Sequence, residues 1–220
     1  MKHPPPDILA AHARGDEPRT LRPMIEAHLA HCSACEGAVA RLRAEAPPLD
    51  EEPDSDESPA LFGEILARIE RDEGFAASQG EESPAGIFPP AVLDELPDPA
   101  RWRWISQWPA RGRGAEVATD PDGARLLLLR YQARARTPRH AHVGDEHSVV
   151  LAGGYRSGSR ELGPGDWDHM APGTEHQPEM LPDGECWSLV RVGPGGLRYR
   201  GLSAWRRFVA AASAIRRLRT

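Results

Sequence analysis

The chain of 220 residues lacks the long apolar segment that a membrane span requires. No window approaches about eighteen uninterrupted apolar residues. The segment from Met1 to Asp7 contains three consecutive prolines and no hydrophobic run of the kind that a secretory signal peptide needs. We therefore expect a soluble, cytoplasmic protein that makes no contact with a membrane.

Cysteine is scarce: the chain has 3, and Cys32 and Cys35 lie close together. This number is too small for a disulfide framework. In a reducing cytosol, a close pair of cysteines indicates a metal site or a redox site. Cys186 lies near the start of a predicted strand, where a lone cysteine is either a small hydrophobic residue or a sensing thiol.

Basic residues are few between positions 49 and 100, where acidic residues are concentrated, and the net charge of the whole chain is -6. Binding to a nucleic-acid backbone requires a basic surface, so direct nucleic-acid binding is not expected. The acidic segment fits either a basic protein partner or a solvated spacer that repels itself.

Residues 1–48 read as a small all-α domain. Prolines precede and Gly15 follows a helix over 7–14, a second helix begins near Thr20, and a third covers 33–44. Pro23 is compatible with the first turn of the second helix, where no intrahelical N–H is needed. Because about fifty residues bury little apolar surface, a structural metal is the natural supplement.

Residues 49–100 are predicted to be an acidic linker with an amphipathic helix at about 59–72. Leu61, Ile65 and Ile69 share one side of this helix, and Ser58-Pro59 supplies its start signal. A helix of about a dozen residues is marginal alone. It is expected to dock either on the first three helices or on a separate protein.

Residues 101–202 change to short apolar runs bounded by Gly, Pro and Asp, as at 125–131, 146–151 and 186–192. This pattern is typical of an antiparallel barrel or sandwich. Residues 203–220 form a basic C-terminal tail that is compatible with a helix. The predicted fold class is therefore α+β multidomain, with a zinc-stabilised helical domain followed by an all-β barrel.

The first candidate metal site reads His28-x3-Cys32-x2-Cys35. Residues four apart on a helix share a face, and two thiolates with an imidazole suit tetrahedral zinc. A closed site needs a fourth ligand, for which His3, His12 and His31 are candidates. His31 points to another helical face and His12 is expected at the surface, whereas His3 lies on a short arm that can reach the site.

The second candidate site reads His140-x-His142-x3-Glu146, with His176 following a Gly-rich turn. Two residues two apart on a strand point to the same side. Three imidazoles and a carboxylate are compatible with zinc, iron, manganese or nickel. His147 and His169 occupy no motif position and are expected at the surface.

The run His28-Leu-Ala-His-Cys32-Ser-Ala-Cys35, with a histidine twenty-five residues earlier, resembles the zinc-binding anti-sigma domain. The second site resembles the two cupin motifs. Together they make the chain similar to the ChrR-type anti-sigma factors over nearly its full length. The resemblance implies two sets of metal ligands, namely His3, His28, Cys32 and Cys35 for zinc, and His140, His142, Glu146 and His176 for zinc or another divalent transition metal.

The resemblance also implies a function. The helical domain would sequester an extracytoplasmic-function sigma factor, and the cupin would control its release under oxidative stress. Such a protein is a regulator and needs no catalytic residue. One alternative is a cupin metalloenzyme of the iron dioxygenase type with a helical docking domain. A third reading, a thiol redox protein that uses Cys32 and Cys35, is disfavoured because zinc would already hold both thiolates.

Overall fold

The computed structural model describes residues 1–45, 86–107 and 110–199. The amphipathic helix predicted at about 59–72 and the basic tail predicted at 203–220 lie outside the described residues. Within the described part, no helix is both long enough and apolar enough to cross a membrane.

Three N-terminal helices form where the sequence pattern predicts them: α1 at Pro6–Arg14, α2 at Arg22–Leu29 and α3 at Ser33–Glu45. Prolines occupy the first turns of α1 and α2, where no intrahelical donor is needed. Gly15 ends α1 in the left-handed conformation, with φ of 76°. A short α4 at Pro90–Asp94 packs against α2, and a 3₁₀ turn at Pro99–Arg101 leads into the β region.

Twelve strands follow in the part of the chain that the structure describes, all paired antiparallel. In chain order they are β1 Trp104–Ser106, β2 Gly112–Thr119, β3 Arg125–Tyr131, β4 His140–His142, β5 Glu146–Ala152, β6 Tyr155–Ser157, β7 Arg160–Leu162, β8 Trp167–Met170, β9 Glu175–His176, β10 Glu179–Met180, β11 Cys186–Val192 and β12 Leu197–Tyr199. The predicted strands at 125–131 and 186–192 have the observed bounds, and the one predicted at 146–151 ends one residue later.

The strands form three sheets, in the orders β1-β2-β3-β11-β5-β8, β10-β6-β7 and β12-β4-β9. The predicted closed barrel is therefore wrong, and the arrangement is a cupin-like β-sandwich with helices at its N-terminus. Strands of only two or three residues make up the two small sheets. Such short strands do not carry the hydrogen-bond ladder around to the edges of the large sheet, as closure requires.

Strands β3, β5 and β11 lie at the centre of the six-stranded sheet, and their side chains alternate between two environments. One set faces the interior of the sandwich, and the other faces the helices. Met24 and Ile25 of α2 are fully buried in one cluster with sheet residues that include Leu128 and Leu189. The helices and the sheet thus share a hydrophobic core.

A buried polar network joins the same two parts, and we call it the Thr20–Asp120–Arg191 network. The Thr20 backbone N–H and hydroxyl donate to the two Asp120 carboxylate oxygens at 3.2 and 2.5 Å. Arg191 donates to the Thr20 hydroxyl at 2.8 Å and to Asp120 at 3.2 Å. All three side chains are buried, so each charge is compensated by a partner away from water.

Removal of Asp120 is expected to destabilise the protein strongly. Asp120→Ala leaves the Arg191 guanidinium buried without its carboxylate, which costs about 3–5 kcal/mol. Asp122 is the matched control: it lies 3.7 Å from Arg191 but is 54% exposed, so Asp122→Ala should cost less than about 1 kcal/mol. Urea unfolding measures both values. Equal costs for the two variants would show that the network contributes little.

Two candidate metal centres

The first group of predicted ligands comes from three separate segments. His28 lies in the last turn of α2, Cys32 precedes α3 and accepts the Glu36 N–H, and Cys35 is in the first turn of α3. The N-terminal arm brings His3 to them, with Nδ1 at 3.4 Å from Cys32 Sγ and 3.3 Å from Cys35 Sγ. The four ligand atoms all lie within 4.8 Å of one another. The structure therefore brings together the four residues that the sequence singles out.

The surroundings of His28 suit a metal ligand. Its Nδ1 lies 2.6 Å from the Gly165 carbonyl oxygen, which requires the proton on Nδ1 and leaves the lone pair on Nε2. That Nε2 atom is buried and has no hydrogen-bond partner. Burial lowers the pKa of His28, which favours the neutral imidazole that binds metals.

The Cys35 thiol needs a cation to ionise at neutral pH. Burial, together with the neighbouring Cys32, raises the pKa of Cys35 to about 11. A soft divalent cation at this position would reverse that effect, because it binds the thiolate form. The donor set of two sulfurs and two imidazoles therefore fits zinc, as the motif predicts.

The second group comes from three strands of the β-sandwich. His140 and His142 lie on β4, Glu146 begins β5, and His176 ends β9 opposite His140. The Nε2 atoms of His140 and His176 are 2.9 Å apart, and Glu146 Oε1 lies 3.4 Å from His142 Nε2 and 3.6 Å from His176 Nε2. The four ligand atoms again lie within 4.8 Å of one another.

Each imidazole in this group is held through its other nitrogen. His140 Nδ1 bonds to the Pro138 carbonyl at 2.8 Å, His142 Nδ1 to the Thr174 carbonyl at 3.0 Å, and His176 Nδ1 to the Ser157 hydroxyl at 3.0 Å. Three Nε2 atoms thus converge with one carboxylate on a single point. This outer layer of hydrogen bonds is the arrangement that orients histidine ligands on a metal.

Burial and the Glu146 carboxylate determine the protonation states of the three histidines in this group. Burial lowers the pKa of His140, and burial with the nearby His140 and His142 lowers the pKa of His176 to about 3. Burial also acts on His142, but the Glu146 carboxylate outweighs it and raises the pKa. His140 and His176 are therefore neutral at pH 7 and ready to donate lone pairs.

A cavity of about 80 Å³ lies beside the second group. Its walls are apolar side chains of β3, β11 and β12 together with three tyrosines, and His140, Glu146 and His176 form one end. No lysine or arginine is among the residues that line it. The cavity has room for a few water-sized groups next to the point where the ligand atoms converge.

Two histidines differ from their predicted surface positions. His12 is only 3% exposed and bonds to the buried Glu17 at 2.9 Å, because α1 turns this face toward α2 and α3. His147 is 8% exposed and packs between Trp167 and His169 on the helix-facing side of β5. Its position follows from the alternation along β5, since Glu146 faces the cavity and the next residue faces the helices. His169 is exposed, as predicted.

Cys186 is the first residue of β11 and is 1% exposed. Burial raises its pKa to about 12. A thiol with these properties is protonated at pH 7 and poorly reactive.

The β-sandwich with its second site defines a cupin-like domain, and residues 96–195 match the family described as the ChrR cupin-like domain. The chain as a whole is similar to the anti-sigma-E factor ChrR of Cereibacter sphaeroides, with 27% identity over 83% of this chain and 85% of ChrR. The resemblance to ChrR-type anti-sigma factors that the sequence suggests is thereby confirmed.

One solved structure gives the same picture of the fold. The crystal structure of Rhodobacter sphaeroides SigE in complex with the anti-sigma ChrR matches 87% of this chain and 98% of the matched chain, with a TM-score of 0.57 and 23% identity. An RmlC-like cupin protein of Ralstonia eutropha matches 60% of this chain and 74% of its own, with a TM-score of 0.40 and 18% identity. The second score is too low to support any inference.

Loss of a thiolate from the first group should remove one metal ion. Cys35→Ser is expected to lower the metal content by one equivalent per chain and to reduce the helical circular dichroism signal, because structural zinc contributes folding free energy on the order of 10 kcal/mol. His31→Ala is the control, since His31 is exposed and outside the group. Elemental analysis of the purified proteins measures the metal. Equal metal content in the two variants would contradict the assignment.

The second group should lose its metal independently of the first. His140→Ala is expected to lower the metal content by one equivalent while the thiolate site stays loaded, because the two groups share no ligand. The control is His169→Ala, which removes an exposed imidazole bound to Asp145 at 2.7 Å. A metal content unchanged by His140→Ala would exclude a metal at this position.

Proposed function

We propose that this protein is an anti-sigma factor that sequesters an extracytoplasmic-function sigma factor in the cytoplasm. The observation that carries the proposal is the similarity to ChrR, which spans 83% of this chain, a larger share than the β-sandwich alone could supply. ChrR is the protein seen in complex with SigE in the matching crystal structure. This chain would bind a sigma factor of the same class as SigE.

We infer that the first group holds zinc and that this zinc organises the sigma-binding helices. His3, His28, Cys32 and Cys35 tie the arm, α2 and α3 to one point, which suits a unit with little apolar core of its own. Sequestration works by mass action: the bound fraction of the sigma factor rises with the concentration of this protein relative to the Kd of the complex. Such a role needs a binding surface and no turnover.

The second group would hold zinc or another divalent transition metal through His140, His142, Glu146 and His176. A metal bound there would supply a Lewis-acidic centre facing the small apolar cavity. We propose that this centre makes the protein responsive to oxidative stress, so that the bound sigma factor is released. Leu127, Val190 and Leu197 form an apolar wall of this cavity.

The second candidate is a cupin metalloenzyme of the iron dioxygenase type, and the cavity beside the second group is the observation in its favour. The two functions differ in turnover. An enzyme loaded with iron would consume oxygen repeatedly with a small apolar substrate, whereas a regulator would change its affinity for the sigma factor without sustained consumption. An oxygen electrode with the iron-loaded protein separates the two.

A binding assay with an extracytoplasmic-function sigma factor from the same genome tests the proposal. The wild type should bind it and release it on treatment with an organic peroxide. Glu146→Gln should bind equally well but fail to release, because the second site loses its carboxylate ligand while the helices stay intact. Cys35→Ser should lose binding.

The control for release is Glu179→Gln, a substitution of a half-buried β10 glutamate that pairs with Arg136 at 2.8 Å. This variant should bind and release as the wild type does. Failure of the wild type to bind any such sigma factor would overturn the proposed function. Normal release by Glu146→Gln would overturn the role of the second site.

A further inference from the structure

The loop between β7 and β8 of the β-sandwich touches the first metal group directly. The Gly165 carbonyl accepts the Nδ1 proton of His28 at 2.6 Å. This contact fixes the tautomer of His28 and the direction of its Nε2 lone pair. One of the four candidate zinc ligands is therefore oriented by a residue that lies outside the helical unit.

A second ligand is placed by the same loop. The Lys2 backbone N–H donates to the Asp166 carboxylate at 2.7 Å, and the Trp167 N–H donates to the Lys2 carbonyl at 3.0 Å. Lys2 is thus held from both sides by residues at the start of β8. The next residue, His3, is brought to the two sulfurs by this anchoring.

The loop itself is fixed on β5. The Gly165 N–H donates to the Val150 carbonyl at 2.9 Å, and the Val150 N–H donates to the Asp166 carbonyl at 3.2 Å. Glu146, a member of the second group, begins the same strand. Val150 lies four positions after Glu146 on this extended strand, at a distance of about 13 Å.

We propose that the β7–β8 loop, residues 163–166, is part of the zinc site of the helical unit, so that docking on the β-sandwich tightens zinc binding. The proposal rests on the zinc site inferred under the proposed function. Coupling between two binding events is reciprocal, so zinc binding tightens docking to the same degree. The β-sandwich thereby controls how firmly the helical unit retains its metal.

A substitution at Gly165 tests the contact. A Cβ atom added there would lie 2.4 Å from the Cβ atom of His31, so Gly165→Ala pushes the α2–α3 turn away from the loop. Gly158→Ala is the matched control, because Gly158 also has a positive φ, of 62°, but a Cβ there meets no atom within 4 Å. Both variants carry backbone strain, and only the first displaces the zinc ligands.

The measurement is the rate at which a competing chelator removes the metal from the full-length protein. Loading with cobalt separates the two sites, since thiolate-to-cobalt charge-transfer absorption arises at the cysteine-containing site alone. Loss of an outer hydrogen-bond partner of a ligand lowers metal affinity by about ten- to a hundredfold, so release from that site should be faster in Gly165→Ala by a comparable factor. Gly158→Ala should stay within about twofold of the wild type.

Asp166→Ala supplies an independent variant if Gly165→Ala fails to fold, because it removes the acceptor for Lys2 without adding an atom. It too should release cobalt from the cysteine-containing site faster than the wild type does, while the second site keeps its metal. Wild-type release rates in the folded loop variants, or equal acceleration by Gly158→Ala, would overturn the proposal. No sigma factor enters this assay, so its outcome is independent of the binding test above.

Discussion

The apolar outer face of the six-stranded sheet is the constraint on which the rest of the structure depends. Alternate residues of β3, β5 and β11 point out of the sandwich and must be covered. Helices α1 to α3 cannot bury their own apolar side chains with so few residues. Each part therefore covers apolar surface of the other, and Met24 and Ile25 are fully buried in one cluster with sheet residues that include Leu128 and Leu189.

Strand β5 separates two chemical environments that are one residue apart. Glu146 points into the sandwich toward the second metal group, and His147 points out toward the helices. Arg191 of the Thr20–Asp120–Arg191 network pairs with His147 in the sheet register, and Val192 pairs with Glu146. Any displacement of these two residue pairs thus affects both a candidate metal ligand, Glu146, and the Thr20–Asp120–Arg191 network that joins the helices to the sheet.

The features that the sequence predicts are those that depend on residues close together along the chain. Helix bounds follow from Pro and Gly signals, and the two groups of candidate ligands follow from spacings such as His140-x-His142 and Cys32-x2-Cys35. The contact between the helices and the sheet could not be predicted in this way. Thr20 and Asp120 lie a hundred positions apart, and neither residue type at its position indicates the other.

Two errors have the same origin. His12 and His147 are buried because of tertiary packing, whereas the expectation of surface positions came from the place of His12 inside a helix and from the lack of a motif position for His147. The open sheet arrangement likewise depends on how far each short strand extends, and apolar runs alone do not define that length. Local sequence patterns therefore identify the candidate metal ligands, whereas the contact between the helices and the β-sandwich depends on long-range packing.

Because Cys186 is buried, the reactivity of the other two cysteines would report the metal content of the first site. All three cysteines of the chain lie in the described residues, and none is in a disulfide. Cys186 is 1% exposed and protonated inside the β-sandwich, whereas Cys32 and Cys35 become accessible to a thiol-specific dye once the helical unit loses its ion and unfolds. A zinc ion in the proposed site would shield both sulfurs, so each pair of dye molecules taken up would correspond to one helical unit that has lost its ion.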